Sequence, residues 1–346
     1  MPGHDIIVIG ASAGGVEALS RLVTLFPPDL PASVFIVLHV PAEGTSVLPR
    51  ILNRAGPLPA VHPVNGQAIE KGRIYIAPPD QHLLVKYGFM ELTRGPRENG
   101  HRPSVDPLFR SAARAYGRRV VGVILSGVLD DGTAGLVAVE MREGICVVQD
   151  PVDALYAGMP QSAIDNVTVD YIVPIADMGA LLVQLVQTPI PDEEENPESE
   201  LIEMEIDMAE LDEHTMHEDE HPGIPSVYGC PECGGTLWEI QEGELVRYRC
   251  RIGHAYSAQT LLAEQAESLE EALWVALRAL EESASLSHRM AHRAQERGAT
   301  RSVEQFDEQA RAAHERAEII RKALKYGTLT VTGAEKLNIP PEETPK

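Results

Sequence analysis

The sequence predicts an α/β fold built on a doubly wound, mostly parallel sheet, and three observations carry that prediction. Ile6-Ile7-Val8-Ile9, Val34-Phe35-Ile36-Val37-Leu38 and Val120-Val121-Gly122-Val123-Ile124-Leu125 are apolar, β-branched runs of strand length with no polar alternation, as expected of strands buried on both faces. The first and third run straight into helix-compatible segments, Val16–Val23 and one ending at Met141, and a further strand follows at Ile145–Gln149. Strands alternating with helices in this way indicate a parallel sheet with helices on its faces.

Between the first strand and its helix lies Gly10-Ala11-Ser12-Ala13-Gly14, a Gly-x-Ser-x-Gly turn. Such a turn lifts a serine Oγ above the carboxyl edge of a sheet, beside a helix N-terminus. The rival reading is a phosphate-binding turn, although a dinucleotide fingerprint requires glycine at position 12 and the Gly-Lys-Ser/Thr end of a Walker loop is absent. The second strand ends in His39, before Pro41. A short helix over Ser46–Arg54 is followed by strands at Val61–Val64, Arg73–Ala77 and His82–Val85, with Phe89–Thr93 as hairpin partner to the last. Ser104 is the expected N-cap of a helix ending near Tyr116, and the third buried strand leads to Asp130 and Asp131.

In a doubly wound sheet, ligands bind outside the carboxyl ends of the strands. Ser12, His39 and the Asp130/Asp131 pair all fall on that edge, which brings the three residue types of a Ser-His-Asp hydrolase to one rim. Individually, His39 reads as well as a core-edge histidine and Asp131 as the cap of its own helix. The chain order Ser, His, Asp differs from that of the α/β-hydrolases. The residues alone do not choose between Asp130 and Asp131.

Composition narrows the function classes. A formal net charge of −23 over 346 residues argues against nucleic acid as a partner. No run approaches the roughly 18 apolar residues of a membrane span, and the N-terminus lacks a basic secretory n-region, so a cytoplasmic protein is expected. The chain should divide into a catalytic domain at 1–188, an acidic linker at 189–224, a zinc-ribbon-like module at 225–256, a helical hairpin at 257–326 and a tail at 327–346. The linker stretch Asp192–Glu220 holds fifteen acidic residues and no Lys or Arg, the composition of a solvated, extended segment. Within it, Leu201–Leu211 has the pattern of an amphipathic helix that could form on binding.

Cys230-Pro231-Glu232-Cys233 and Cys250-Arg251-Ile252-Gly253-His254 give Cys-x2-Cys and Cys-x3-His, a ligand set suited to a closed, structural zinc site. This module is expected to fold on its metal, with the α/β domain independent of it. From Ser257 the chain is helical, with Leu262, Ala266, Leu269, Leu273, Ala276 and Leu280 on one heptad seam and a break at Gly298-Ala299-Thr300. The seam serves either the hairpin itself, or a homodimer or docking onto another helical bundle.

Five motifs together resemble the catalytic domain of the CheB family of chemotaxis protein-glutamate methylesterases: Ile9 to Gly15, Tyr75-Ile76-Ala77-Pro78-Pro79-Asp80-Gln81-His82-Leu83, Arg102-Pro103-Ser104-Val105-Asp106, Asp131-Gly132-Thr133-Ala134-Gly135 and Gly158-Met159-Pro160. The resemblance covers about Asp5 to Val186. It implies hydrolysis of glutamyl γ-methyl esters on the cytoplasmic helices of chemoreceptors, often with glutamine deamidation and without a catalytic cofactor. It further implies Ser12 as nucleophile, His39 as general base and Asp131, rather than Asp130, as the orienting acid. The oxyanion donors are expected to be the backbone N–H groups of Ala13 and Val128.

Two departures stand out. Val128-Leu129 replaces the Met-Gly of the family's Gly-Met-Gly, which leaves a non-enzymatic signalling adaptor as the alternative. The family's receiver domain is not present before the first strand, so control by a separate regulator protein or by the tail is expected. Arg94, Arg97, Arg102, Arg110 and Arg114 offer a basic surface for weak, salt-sensitive docking of the acidic linker.

Overall fold

The structure is a computed structural model and describes residues 3–190, 200–210, 223–242 and 245–326. In chain order, β1 (Ile6–Ala11) leads to α1 (Gly15–Val23), β2 (Ser33–Leu38) to α2 (Leu48–Ala55), and β3 (Ala60–Val61) to β4 (Arg73–Ile76). The hairpin β5 (His82–Lys86) and β6 (Phe89–Thr93) precedes α3 (Val105–Tyr116). Then come β7 (Val120–Ile124), α4 (Thr133–Met141), β8 (Ile145–Gln149), α5 (Gly158–Asn166), β9 (Tyr171–Val173) and α6 (Ile175–Gln187).

Seven strands form one sheet in the order β3-β4-β2-β1-β7-β8-β9, and every pairing in it is parallel. All six residues of β1 are buried, because helices cover both faces. Ile7 and Ile9 pack with Leu19, Leu22 and Leu182 on one face, while Val8 packs with Phe109 and Leu136 on the other. The chain leaves β1 toward β2 on one side and returns beside it as β7 on the other, so the topological switch point lies at the ends of β1 and β7. The strand expected over Val61–Val64 stops at Val61, since Pro63 supplies no N–H for a ladder.

Within the stretch read as an acidic linker, the patch with the pattern of an amphipathic helix forms α7 (Glu200–Glu210), while residues 191–199 and 211–222, and the tail expected at 327–346, lie outside the described residues. Ile206 enters the core beside α3, and Met208 and Ala209 are buried with it. Burying one Ile contributes roughly 1.5–3 kcal/mol, which a solvated linker would forgo. Glu205 on the same helix is fully buried. After it, β10 (Ile224–Gly229), β11 (Thr236–Glu242), β12 (Leu245–Cys250) and β13 (Ala255–Ser257) form a four-stranded antiparallel sheet in that order.

A buried charge cluster ties this sheet and α7 to the α/β core. Arg247 makes a bidentate pair with Glu205 at 2.8 and 2.9 Å, and Arg249 bridges Glu205 at 2.9 Å and Glu98 at 3.2 Å. Arg110 on α3 donates to Glu98 at 2.5 Å. Burial pushes the Glu205 carboxyl up, but the charges of Arg247, Arg110 and Arg249 outweigh it and hold the group below the usual carboxylate range. Of the basic surface expected to attract the linker, Arg110 and Arg114 do meet α7, the latter through Glu203 and Asp207, whereas Arg94 and Arg102 pair with Asp80. Because the central pairs are buried, salt screens them little, in contrast to the salt-sensitive docking expected from exposed pairs. Glu205→Ala removes the acid that Arg247 and Arg249 share and that Arg110 faces, and is expected to lower stability by about 3–5 kcal/mol, read from the urea midpoint of the full chain. A change within about 0.5 kcal/mol would show that the cluster adds nothing to stability.

The C-terminal segment forms α8 (Ala258–Glu296) and α9 (Thr300–Tyr326). Leu277, Ala284, Ala291 and Ala294 of α8 are buried, as are Ala310, Ala313 and Ala317 of α9, so the hairpin closes on a seam of small residues. Leu262 and Leu269, placed on the same seam by their spacing, are exposed. The 39-residue α8 is longer than the 27-residue α9, so a hairpin cannot cover its N-terminal turns.

Candidate active site

Ser12 follows β1, and its N–H donates to Ser126 O at 3.0 Å, which joins the ends of β1 and β7. Gly14 then adopts φ 74°, the left-handed conformation that lets the chain turn into α1. Gly127 is required on the facing side, because a Cβ there would lie 2.0 Å from Met159 Sδ and 3.0 Å from Ser12 Cβ.

His39 stands one residue past β2 and faces Ser12. Its Nε2–H donates to Asp131 Oδ2 at 2.6 Å, which leaves Nδ1 unprotonated and able to accept the Ser12 hydroxyl proton across 3.1 Å. Asp131 is 2% exposed and takes three further donors: Val105 N–H at 2.7 Å on Oδ2, with Ser104 Oγ at 2.8 Å and Asn99 Nδ2 at 2.9 Å on Oδ1. Asp131 thus caps the N-terminus of α3, not its own helix, and the α3 dipole favours its negative charge. Ser104 has the backbone position of the α3 N-cap as expected, but its hydroxyl goes to Asp131 instead of capping the helix. Burial pushes the Asp131 carboxyl up, and the His39 contact and Val105 N–H more than reverse this, holding it below the usual range. Asp130 points elsewhere and accepts from Ser257 and Thr260.

The N–H groups of Ala13 and Val128 form no hydrogen bond with another described residue, so both are free to donate to a bound group. Leu129, the departure from glycine, adopts φ 58°. The loop therefore keeps the left-handed turn that a glycine would make, with a strained leucine in its place.

His101 was not anticipated. Its ring stacks on His39 with centroids 3.7 Å apart. Burial and the charge of His39 push its pKa down to about 4, so it stays neutral beside an imidazole that must cycle through its cation. The folded protein refuses a proton that the unfolded chain takes up near 6.5, so stability is lost as pH falls from about 6.5 toward 4, by about 3 kcal/mol in all. His4 and His82 are shifted in the same direction. His101→Phe should therefore lose less stability than the wild type between pH 7 and pH 5, measured by urea unfolding; equal losses would remove His101 from this dependence.

Residues 7–182, just over half of the chain, match the CheB methylesterase family. The chain belongs to the CheB methylesterase family. It is 32% identical to the protein-glutamate methylesterase/protein-glutamine glutaminase of Pyrococcus horikoshii, over 54% of this chain and 52% of that protein. A putative enzyme of the same name from Leptospira interrogans is 36% identical over 53% of this chain and 96% of its own length. The chain thus spans about half the length of the Pyrococcus relative and nearly all of the Leptospira one. The crystal structure of the Thermotoga maritima CheB methylesterase catalytic domain superposes with a TM-score of 0.51 at 32% identity, covering 53% of this chain and 98% of that domain.

Outside the CheB domain, the donor atoms of Cys230, Cys233, Cys250 and His254 lie within 4.8 Å of one another. Cys230 Sγ and Cys250 Sγ are 3.6 and 3.5 Å from His254 Nδ1, and Cys233 Sγ is 3.6 Å from Cys250 Sγ. A zinc tetrahedron with bonds of about 2.3 Å to sulfur and 2.0 Å to nitrogen has edges of about 3.5–3.8 Å, which these three separations match, so the cluster is compatible with a metal ion. His254 Nε2 bonds Glu232 Oε2 at 2.9 Å, which fixes the ring with Nδ1 toward the cluster. No helix among the described residues is long and apolar enough to cross a membrane.

Proposed function

We propose that this CheB-family protein is a serine hydrolase that removes methyl esters from glutamyl side chains of chemoreceptor cytoplasmic helices. The reading rests above all on the hydrogen-bonded chain Ser12 Oγ to His39 Nδ1 and His39 Nε2 to Asp131, at the switch point of the sheet. Ser12 Oγ attacks the ester carbonyl carbon while His39 Nδ1 takes its proton, and the tetrahedral oxyanion forms against the Ala13 and Val128 N–H groups. His39 returns the proton to the departing methanol oxygen. Water, deprotonated by the same imidazole, then releases glutamate from Ser12.

The same acyl chemistry on glutamine expels ammonia, in keeping with the second activity named for the relatives. Val128 and Leu155 are exposed beside the serine turn and suit the apolar ridge of a receptor helix. Leu129 holds a left-handed φ of 58°, which supports a loop able to present the Val128 N–H and weighs against a non-enzymatic adaptor. Mass spectrometry of a methylated receptor fragment incubated with the protein should show glutamyl methyl esters converted to glutamate; unchanged esters would reject the reading.

The Cys230, Cys233, Cys250 and His254 cluster is proposed to hold one structural zinc ion that locks the ribbon and does not itself touch the ester. Metal analysis of protein purified without chelator is expected to give about one zinc per chain. A zinc content near zero in folded protein contradicts the assignment.

A further inference from the structure

The last strand of the ribbon lies against the loop that supports the triad aspartate. Asn99 N–H donates to Ala255 O at 2.7 Å, Ala255 N–H donates to Arg97 O at 3.3 Å, and Ser257 N–H donates to Asn99 Oδ1 at 3.0 Å. The Asn99 amide then turns its Nδ2 to Asp131 Oδ1 at 2.9 Å and to Asp106 Oδ2 at 3.0 Å. Every polar atom of the Asn99 side chain is thereby used, and the amide can sit only one way round: a flip would set its NH2 against the Ser257 N–H and its oxygen against the Asp131 carboxylate. The group that holds the oxygen in place comes from the ribbon.

The ribbon strand is in turn set by the metal-ligand cluster. His254 directly precedes β13, and Cys250 N–H donates to His254 O at 3.0 Å, closing the turn between β12 and β13. Gly253 in that turn faces Pro96, where an added Cβ would lie 2.8 Å from its Cγ. Ser257 Oγ and Thr260 Oγ1 bond Asp130, the neighbour of Asp131, at 2.7 and 2.9 Å. From ligand to triad the path is short: His254, Ala255 and Ser257, Asn99, Asp131.

We propose that Asn99 is a positioning residue for Asp131, held in register by the ribbon strand Ala255–Ser257, so that the Cys3His module is a working part of the hydrolase and not a tethered accessory. This reverses the expectation that the α/β domain is independent of its tail. It rests on the methylesterase reading for its kinetic consequence, but the docking itself does not. With the metal removed, the turn before β13 loosens, Asn99 Oδ1 loses its donor, and Asp131 loses part of the cage that aims it at His39. Catalytic support of this kind typically accounts for about 10- to 100-fold in rate, through orientation more than substrate binding.

The test uses the full chain, as purified and after zinc is stripped with a chelator, with metal content measured in each. Stripped protein is expected to lose about 10- to 100-fold in kcat on methylated receptor with KM within about twofold, and to recover when Zn2+ is restored. Amide hydrogen exchange, which does not depend on turnover, should speed up at Asn99 on stripping. Asn99→Ala with zinc bound should show a kcat loss of similar size, and stripping that variant should add less than about twofold, because both changes act through one contact.

Stripped protein with full kcat, unchanged exchange at Asn99, or losses that simply multiply would each overturn the proposal. So would complete unfolding on stripping, since the effect would then not pass through Asn99. Absence of ester turnover in both states would instead defeat the methylesterase reading, and the exchange comparison would still decide whether zinc holds the ribbon strand on Asn99.

Discussion

Asp131→Asn is expected to lower ester turnover by about four orders of magnitude with little change in KM, as measured by steady-state kinetics on methylated receptor. Asp131 presents acceptors to four donors: His39 Nε2, Val105 N, Ser104 Oγ and Asn99 Nδ2. An asparagine has one acceptor oxygen, and its amide nitrogen must face some of these donors. Where that nitrogen faces His39, Nε2 becomes an acceptor and the ring proton moves to Nδ1. Nδ1 is the atom that must receive the Ser12 proton, so the base is blocked without being removed. The buried donors left unmatched should also cost about 1–3 kcal/mol of stability. Turnover within tenfold of wild type would show that Asp131 does not set the imidazole tautomer.

Ser12→Ala should have the larger effect, a fall in kcat of about six orders of magnitude, because no acyl intermediate can form. The change removes one hydroxyl whose side-chain partner is His39, so folding stability should shift by less than about 0.5 kcal/mol. Activity and stability are thereby separated. Loss of turnover with an unchanged urea midpoint assigns the effect to chemistry, whereas loss of both would point to a damaged turn.

Much of the site was legible because each of its three members lies after its own apolar strand. Ser12 follows β1 and His39 follows β2, while Asp131 lies in the loop between β7 and α4, and a parallel sheet puts those ends on one edge. The choice of Asp131 over Asp130 came from family resemblance, since adjacent aspartates carry no local signal for which one turns inward. Asn99 had a signal that was not used. Asn99-Gly100 is a turn dipeptide, and the chain does reverse there, with φ 52° and 73° at the two residues and paired backbone bonds between Glu98 and His101. Its contact with the triad, however, depends on a strand more than 150 positions later in the chain.

The described part of the linker, Glu200–Glu210, is more buried than its composition suggests, for a related reason. Between Asp192 and Glu220 composition speaks for solvation, and it does so correctly only if no partner is at hand. Arg110, Arg247 and Arg249 are that partner for Glu205, and they come from two other parts of the chain. Acidic count alone cannot distinguish a residue facing water from one facing three buried guanidinium groups. The helical seam of α8 failed in the opposite direction: its spacing was right, but the shorter α9 leaves Leu262 and Leu269 in solvent.

The central claim is that Ser12, driven by His39 and Asp131, cleaves glutamyl methyl esters. Its most direct test is methanol release from a purified methylated chemoreceptor, compared between the wild-type protein and Ser12→Ala under the same conditions. The account predicts methanol in step with ester loss for the wild type and none above background for the variant. Methanol released at the same rate by both proteins, or by neither while the wild type is folded, would contradict it.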